Sequence, residues 1–111
     1  TAHLAGGAAN TALMLVTVGW AHALGRHGIR VNAINPASTY TGRVQQAIRL
    51  EAKEKNITEA EALSRSEASI PLGRYCRPEE VAAVTLFLAS DQASYVTGAV
   101  VPMDGAAVPV I

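Results

Sequence analysis

The fold is decided by residues 28–36, which read Gly-Ile-Arg-Val-Asn-Ala-Ile-Asn-Pro. The β-branched run over 29–34 contains no breaker and predicts a mostly buried strand. Asn35-Pro36 ends that strand, because proline has no N–H to donate to a β-ladder. Gly28 comes just before the strand and is the natural left-handed cap of a preceding helix. A helix that leads directly into a buried strand favours an α/β fold.

A long helix is predicted over 8–26, upstream of this strand. Its apolar residues recur at three- and four-residue steps, which places them on one face of a helix. The residues of that face are Ala9, Leu13, Val16, Trp20, Ala23 and Leu24.

Two helices are predicted downstream of the strand, after a loop over 36–41. The first runs from Gly42 to about Asn56, and Thr58 with Glu61 forms a capping box that starts the second. The apolar residues of this pair would either line a pocket or pack against one another; they are Val44, Ala47, Ile48 and Leu63.

A last helix and a second strand are predicted near the end of the chain. Pro78 suits the first helical turn, and Glu79 and Glu80 interact favourably with the positive end of the helix dipole. The buried side of this helix would carry Val81, Val84, Thr85 and Leu88, and a strand over 99–103 follows it. Strand, helical crossover and strand together predict a right-handed unit with parallel strands.

Two strands leave unpaired edges and a bare sheet face, so this unit needs a neighbour to complete its core. The chain also opens at Thr1 without an initiator methionine and runs at once into a helical pattern. A processed or truncated chain is therefore expected.

Composition excludes several classes of function. Nine Lys and Arg balance nine Asp and Glu, so no summed charge attracts nucleic acid or an anionic membrane. No uninterrupted apolar run reaches the roughly eighteen residues of a membrane span. Cys76 is the single cysteine, and His22 and His27 lie off one helical face, so neither a disulfide nor a metal site is expected. These features favour a protein of the cytoplasm.

Three segments carry a resemblance to a known family. They are residues 28–36 followed by Thr41; Pro71-Leu72-Gly73-Arg74 leading to Arg77-Pro78-Glu79-Glu80-Val81-Ala82; and Phe87-Leu88-Ala89-Ser90-Asp91 leading to Tyr95-Val96-Thr97-Gly98 and Met103-Asp104-Gly105. In this order and spacing they resemble the short-chain dehydrogenase/reductase family, closest to its 3-oxoacyl-carrier-protein reductases. The resemblance covers essentially the whole chain.

The resemblance implies that 1–111 is the C-terminal portion of one Rossmann-like domain with a doubly wound parallel sheet, in which 42–70 form the substrate lobe. It implies NAD or NADP as cofactor and a small carbonyl or alcohol as substrate. It also implies a homo-oligomer, dimer or tetramer, with contacts through 78–103. The Gly-rich phosphate loop of such folds has no match here, since Gly6-Gly7 follows no strand.

The catalytic pair of the family is a tyrosine with a lysine four residues later, at the start of the long helix. The resemblance places these positions at Gly6 and Asn10, and neither residue can transfer the proton. Asn10 is a candidate for a hydrogen bond to a cofactor ribose, or an ordinary helix residue. His3 is the nearby titratable group that could donate a proton, or an ordinary terminal histidine. Tyr40 and Tyr75 flank the site, but neither has a lysine four residues on.

By the same resemblance, Pro36, Ala37, Thr39 and Thr41 would border the nicotinamide, with backbone groups of Thr39 and the Thr41 hydroxyl as its partners. The loop also follows the carboxyl end of a strand, where ligands bind in such sheets. Ala37 stands where the family usually has glycine, which would make a positive φ less comfortable. The alternative is a simple connecting loop in which Thr41 caps the next helix.

Three hypotheses for function remain open at this point. The complete protein is a nicotinamide-dependent oxidoreductase, or it keeps the fold and serves as a cofactor-binding or assembly subunit without redox chemistry. Third, the chain is itself an interaction fragment, which the exposed sheet edge and the apolar residues 99–111 would favour.

Overall fold

A computed structural model describes residues 4–107 of the chain. The helices are α1 (Leu4–Leu24), α2 (Gly42–Lys55), α3 (Glu59–Glu67) and α4 (Pro78–Ala89), and the strands are β1 (Ala33–Pro36) and β2 (Val100–Met103). Short 3₁₀ turns cover Gly25–His27 and Asp91–Ala93. The chain forms two compact units, one from 4–35 with 84–101 and the other from 36–83 with 102–107.

Helix α1 belongs to the first unit and ends as predicted. Gly28 adopts φ 72 and caps the 3₁₀ turn, and its N–H donates to the Gly25 carbonyl. The predicted start at residue 8 is wrong, because the helix already includes Leu4 and runs through Gly6-Gly7. Within the described residues, Thr17 and Ala21 of α1 are buried, whereas Leu13 and Trp20 of the predicted apolar face are each 60% exposed.

Strand β1 begins later than the pattern predicted, at Ala33 rather than residue 29. The cause lies in side chains that replace backbone ladder bonds. The Asn32 amide donates to the Val96 carbonyl at 2.9 Å and accepts from the Ala99 N–H at 3.0 Å. The Val31 N–H likewise donates to the Thr97 hydroxyl at 3.1 Å. Residues 30–32 are therefore joined to the rest of the unit by these side-chain bonds and by one backbone bond, from the Gly98 N–H to the Val31 carbonyl at 2.7 Å.

The two strands pair with each other and run parallel. The Ala33 N–H donates to the Ala99 carbonyl, and four residues on, the Ala37 N–H donates to the Met103 carbonyl. Partners that advance in the same direction on both strands define a parallel pair. The α/β fold class with a parallel sheet is confirmed.

A close approach in the first unit involves Gly98, just before β2. Gly98 has φ 75, and a Cβ added there would lie 3.3 Å from the Cβ of Ala21 on α1. Glycine is the residue that takes this conformation without strain. The backbone at Gly98 therefore packs directly against a small residue of the helix.

Helices α2 and α3 form the core of the second unit. The capping box is confirmed: the Thr58 hydroxyl accepts from the Glu61 N–H, and the Glu61 carboxylate accepts from the Thr58 N–H. Ile48, Ala52 and Ala62 form a buried cluster, with Val44 and Leu63 packed against it. The packing interpretation is correct for Val44, Ile48 and Leu63, whereas Ala47 is exposed.

Helix α4 begins at Pro78 as predicted. Of its predicted inner side, Leu88 is buried, Val81 and Val84 are half-buried, and Thr85 is exposed. The end of the helix is held by Arg30, whose guanidinium donates to the carbonyls of Leu88 at 2.6 Å and Ser90 at 3.2 Å. A side chain from before β1 therefore caps the C-terminus of α4.

By length and composition, the helical stretch Leu4–His27 could cross a membrane: it has 24 residues and a hydropathy of 1.3 in its most apolar window. Core helices of soluble proteins have the same properties. Only 11% of that window is buried within the chain, so its apolar side chains are largely exposed here. The expectation of no membrane segment stays a prediction.

Candidate cofactor site

The predicted cofactor loop lies in the second unit and begins where β1 ends. Pro36 is the last strand residue and is exposed. The next residue, Ala37, donates its N–H to the Met103 carbonyl at 3.2 Å. This bond fixes the direction in which the loop leaves the carboxyl end of the strand.

The backbone at Ala37 is unstrained. Among the described residues other than glycine, a positive φ occurs only at Asn56 and Ala106. Ala37 therefore adopts a conformation that any L-residue accepts. The backbone strain expected for alanine at this position does not arise, because the loop does not require a left-handed residue here.

The middle of the loop is paired with a second segment, around Cys76. Thr39 and Cys76 form a parallel β-bridge. The Cys76 N–H donates to the Ser38 carbonyl at 2.9 Å, and the Tyr40 N–H donates to the Cys76 carbonyl at 2.8 Å. Two backbone bonds on either side of Thr39 hold this residue, which is half-buried, in one place.

Thr41 occupies the N-cap position of α2 in an extended conformation, φ −127 and ψ 171. Its carbonyl accepts from the Gln45 N–H at 3.0 Å. The alternative in which Thr41 caps the helix is wrong for its side chain, which makes no capping hydrogen bond within the described residues. The exposed hydroxyl is therefore available to a ligand at the end of the loop.

The three positions predicted on or before α1 have different outcomes. His3 lies outside the described residues. Asn10 is exposed on α1, in the first unit, and Gly6 precedes it by one helical turn on the same helix. A Cβ added at Gly6 would meet no atom within 4 Å. Of the predicted site residues, the structure places Pro36, Ala37, Thr39 and Thr41 in one loop.

A charged cluster beside this loop was missed by the sequence reasoning. Arg74 binds the Glu80 carboxylate with two hydrogen bonds of 2.8 Å, and the same carboxylate accepts from the Arg77 N–H at 2.8 Å. Both residues lie in segments that carry the family resemblance, but a pairing six residues apart across a turn has no regular helical or strand spacing that reveals it.

The cluster has a defined electrostatic state. The hydrogen bonds from Arg74, followed by the Arg77 N–H, lower the pKa of Glu80 from its ordinary value of 4.5 to about 2. The hydrogen bonds to the Glu80 carboxylate in turn raise the pKa of Arg74. Glu80 therefore stays ionised under all ordinary conditions, and the 74–77 segment is tied to the start of α4.

A cleft with a volume of about 340 Å³ opens next to Ser38 in the second unit. Ile70, Leu72 and Met103 form its apolar side. Its polar side carries the Arg74–Glu80 pair and Asp104. Within residues 4–107, no group of three or more metal-ligating side chains is brought together.

Replacing Glu80 with glutamine in the complete protein is expected to lower the thermal unfolding midpoint by a few degrees at neutral pH. A lowered carboxyl pKa stabilises the fold above the unfolded-state value and loses that effect as pH falls. The difference between wild type and Glu80→Gln should therefore be full above about pH 4.5 and shrink as pH falls toward 2.

Thermal unfolding followed by circular dichroism across pH 2–7 measures this difference. Glu79→Gln is the matched control, since Glu79 lies on the same helical turn and makes no hydrogen bond or ion pair with the described residues. A Glu80→Gln midpoint that follows the Glu79→Gln midpoint at every pH would contradict the assignment.

Comparison with known proteins gives consistent matches. A family model described as Enoyl-(Acyl carrier protein) reductase matches residues 2–106. The chain is 47% identical over 90 residues to 3-oxoacyl-(acyl-carrier-protein) reductase FabG of Thermotoga maritima, an alignment that covers 81% of this chain and 32% of that protein. The chain spans about a third of the length of the curated relatives it matches.

Solved structures share the fold. A short chain dehydrogenase family protein from Francisella tularensis is 32% identical with a TM-score of 0.79, over 87% of this chain and 40% of that one. L-Sorbose reductase from Gluconobacter frateurii, solved with NADPH and L-sorbose, is 27% identical with a TM-score of 0.84, over 91% of this chain and 39% of that one.

Proposed function

Because the chain belongs to the short-chain dehydrogenase/reductase family, we propose that the complete protein is an NAD(P)-dependent oxidoreductase of small carbonyl or alcohol substrates. The observation that carries the proposal is the loop from Ala37 to Thr41. Its backbone is fixed by hydrogen bonds on both sides of Thr39, and its last hydroxyl is exposed and not used as a helix cap. The NADPH complex of the Gluconobacter enzyme supports the same class of cofactor.

The loop would serve to bind and orient the nicotinamide end of the cofactor. Nicotinamide, when bound, supplies or accepts the hydride. Backbone groups of Thr39 and the hydroxyl of Thr41 are suited to the carboxamide, which offers both a donor and an acceptor. Asn10 is exposed on α1, and its hydrogen bond to a cofactor ribose stays a prediction. The residues of this loop and Asn10 do not distinguish NAD from NADP.

A loop held by the protein before the ligand arrives loses little conformational freedom on binding. The two backbone bonds to Cys76 provide this preorganisation for Thr39, and the helix start provides it for Thr41. The substrate would approach from the α2–α3 lobe, whose two helices pack on their own core of Ile48, Ala52 and Ala62. The two helices of the lobe are therefore held together by a packed core.

Replacing Thr41 with valine is expected to weaken binding of NADH or NADPH by threefold to tenfold, about one hydrogen bond's contribution. Isothermal titration calorimetry on the complete protein measures the dissociation constant of both dinucleotides. Ser94→Ala removes an exposed hydroxyl from the other unit and is the control, with no change expected. Failure of the wild-type protein to bind either dinucleotide would overturn the proposed function.

Homo-oligomerisation through 78–103 is also proposed. Leu86 is 72% exposed and Phe87 is 46% exposed on α4, and such apolar side chains on one helix suit a contact with a second copy. We likewise propose a cytoplasmic location. If the complete protein sediments as a monomer in analytical ultracentrifugation, the proposed homo-oligomer is wrong. Cell fractionation tests the proposed cytoplasmic location.

A second candidate function is favoured by the helix start itself. The resemblance places Gly6 and Asn10, both on α1, at the two positions where the family carries tyrosine and lysine, so a protein that binds cofactor without reducing a carbonyl is consistent with α1. Ordinary turnover of simple ketones with NADH or NADPH by the wild-type protein would remove this candidate.

A further inference from the structure

Tyr75 lies between the substrate lobe and the cofactor loop, within the second unit. Its hydroxyl shares a hydrogen bond with the hydroxyl of Ser66 on α3. Its ring packs against the buried cluster of Ile48, Ala52 and Ala62. One side chain therefore contacts both the helix and the core of the lobe.

The same ring also faces the loop. The centroids of the Tyr75 and Tyr40 rings are 5.9 Å apart with planes inclined by 55°, a favourable geometry for aromatic pairs. Tyr40 lies between Thr39 and Thr41 in the chain. The side chain of Tyr75 is thus in contact with the residue that joins the two proposed nicotinamide partners.

The backbone on both sides of Tyr75 is fixed as well. Cys76 pairs with Thr39, with hydrogen bonds to Ser38 and Tyr40. On the other side, Arg74 is bound to Glu80 at the start of α4. Because both neighbours are held, the Tyr75 ring has little room to follow the lobe unless the loop moves with it.

We propose that Tyr75 is a positioning residue that couples the position of the α2–α3 lobe to the position of the 38–41 loop. The lobe and the proposed nicotinamide partners, Thr39 and Thr41, thereby keep a fixed relative geometry. This inference rests on the proposed function for its consequence in binding. The hydrogen bond to Ser66 is the part of the coupling that can be removed without removing the ring.

Replacing Tyr75 with phenylalanine in the complete protein keeps the ring contacts with Tyr40 and the lobe core but removes the hydroxyl. The dissociation constant of the reduced dinucleotide is expected to rise threefold to tenfold. Ser66→Ala removes the other partner and should have a similar effect. Since both changes break the same bond, the double variant should bind about as well as either single variant.

Hydrogen–deuterium exchange without cofactor gives a second readout. In Tyr75→Phe, residues 38–41 and the helix 59–67 are expected to exchange faster together, whereas Tyr95→Phe, which alters a fully exposed tyrosine, should leave both unchanged. A merely structural role would lower the unfolding midpoint without a joint change in loop exchange and dinucleotide affinity.

The outcomes separate this inference from the proposed function. If the wild-type protein binds dinucleotide, an unchanged dissociation constant or unchanged exchange at 38–41 in Tyr75→Phe overturns the coupling. If the wild-type protein binds neither NADH nor NADPH, the proposed function fails, and exchange at 38–41 alone decides: faster exchange supports the coupling, and unchanged exchange overturns it. Additive effects in the double variant also overturn the role of the shared bond.

Discussion

Replacing Gly6 with tyrosine and Asn10 with lysine in the complete protein is expected to accelerate carbonyl reduction by about a hundredfold or more. The reason lies in the two positions that the resemblance assigns to the catalytic pair: hydride transfer leaves an alkoxide, and a tyrosine beside a lysine stabilises and protonates it. Residues four apart are neighbours on one face of a helix, so α1 would present the two new side chains together.

The helix has room for this change. A Cβ at Gly6 meets no atom within 4 Å among the described residues, and Asn10 is exposed. Replacing a helical glycine also favours the helix itself. The double variant is therefore expected to fold, so that its kinetics report on chemistry.

Steady-state oxidation of NADPH or NADH with a panel of simple ketones measures the gain. Gly6→Phe with Asn10→Lys is the control, since it adds the same bulk and charge without a hydroxyl and should stay near the wild-type rate. A folded, dinucleotide-binding Gly6→Tyr/Asn10→Lys protein that is no faster than this control would show that proton transfer at this position does not limit the rate.

Replacing Arg30 with methionine is expected to lower the free energy of unfolding by about 3 kcal/mol. The guanidinium donates to the carbonyls of Leu88, Ser90 and Val96, at 2.6, 3.2 and 3.4 Å. These groups lie at and after the end of α4, where helix carbonyls have no partner within the helix. Methionine keeps much of the apolar stem but leaves those carbonyls without their charged donor.

Urea unfolding of the complete protein, followed by circular dichroism, measures the change. Arg26→Met is the matched control, because Arg26 is exposed on the 3₁₀ turn and bonds only to its neighbour His27 among the described residues. Its effect should stay within about 0.5 kcal/mol. Equal unfolding midpoints for the two variants would mean that Arg30 does not hold the end of α4.

Features with local causes were predicted well. The Thr58–Glu61 capping box, the cap at Gly28 and the helix start at Pro78 each depend on residues within one helical turn, and the structure has all three. Features that depend on residues distant in sequence were not predicted. The start of β1 depends on bonds from Asn32 to Val96 and Ala99, more than sixty residues away, which no periodicity reveals.

The candidate site likewise has one feature that the sequence predicts and one that it does not. The loop 36–41 could be placed because it follows a strand and carries a family pattern, but the pairing of Thr39 with Cys76 joins segments that are far apart in sequence. The apolar face of α1 also depends on surfaces that are distant in sequence. Apolar residues such as Leu13 and Trp20 predict a contact without saying which surface provides it, and the described residues leave both largely exposed.

The contact between Gly98 and Ala21 limits how this sequence can change over evolutionary time. A side chain at 98 would need both a left-handed backbone and space that the Ala21 methyl already occupies at 3.3 Å. Enlarging residue 21 first would press on the same backbone. A smaller residue at 21 would free space but not relieve the left-handed backbone at 98, so lineages that share this packing are expected to keep glycine at 98 and a small residue at 21.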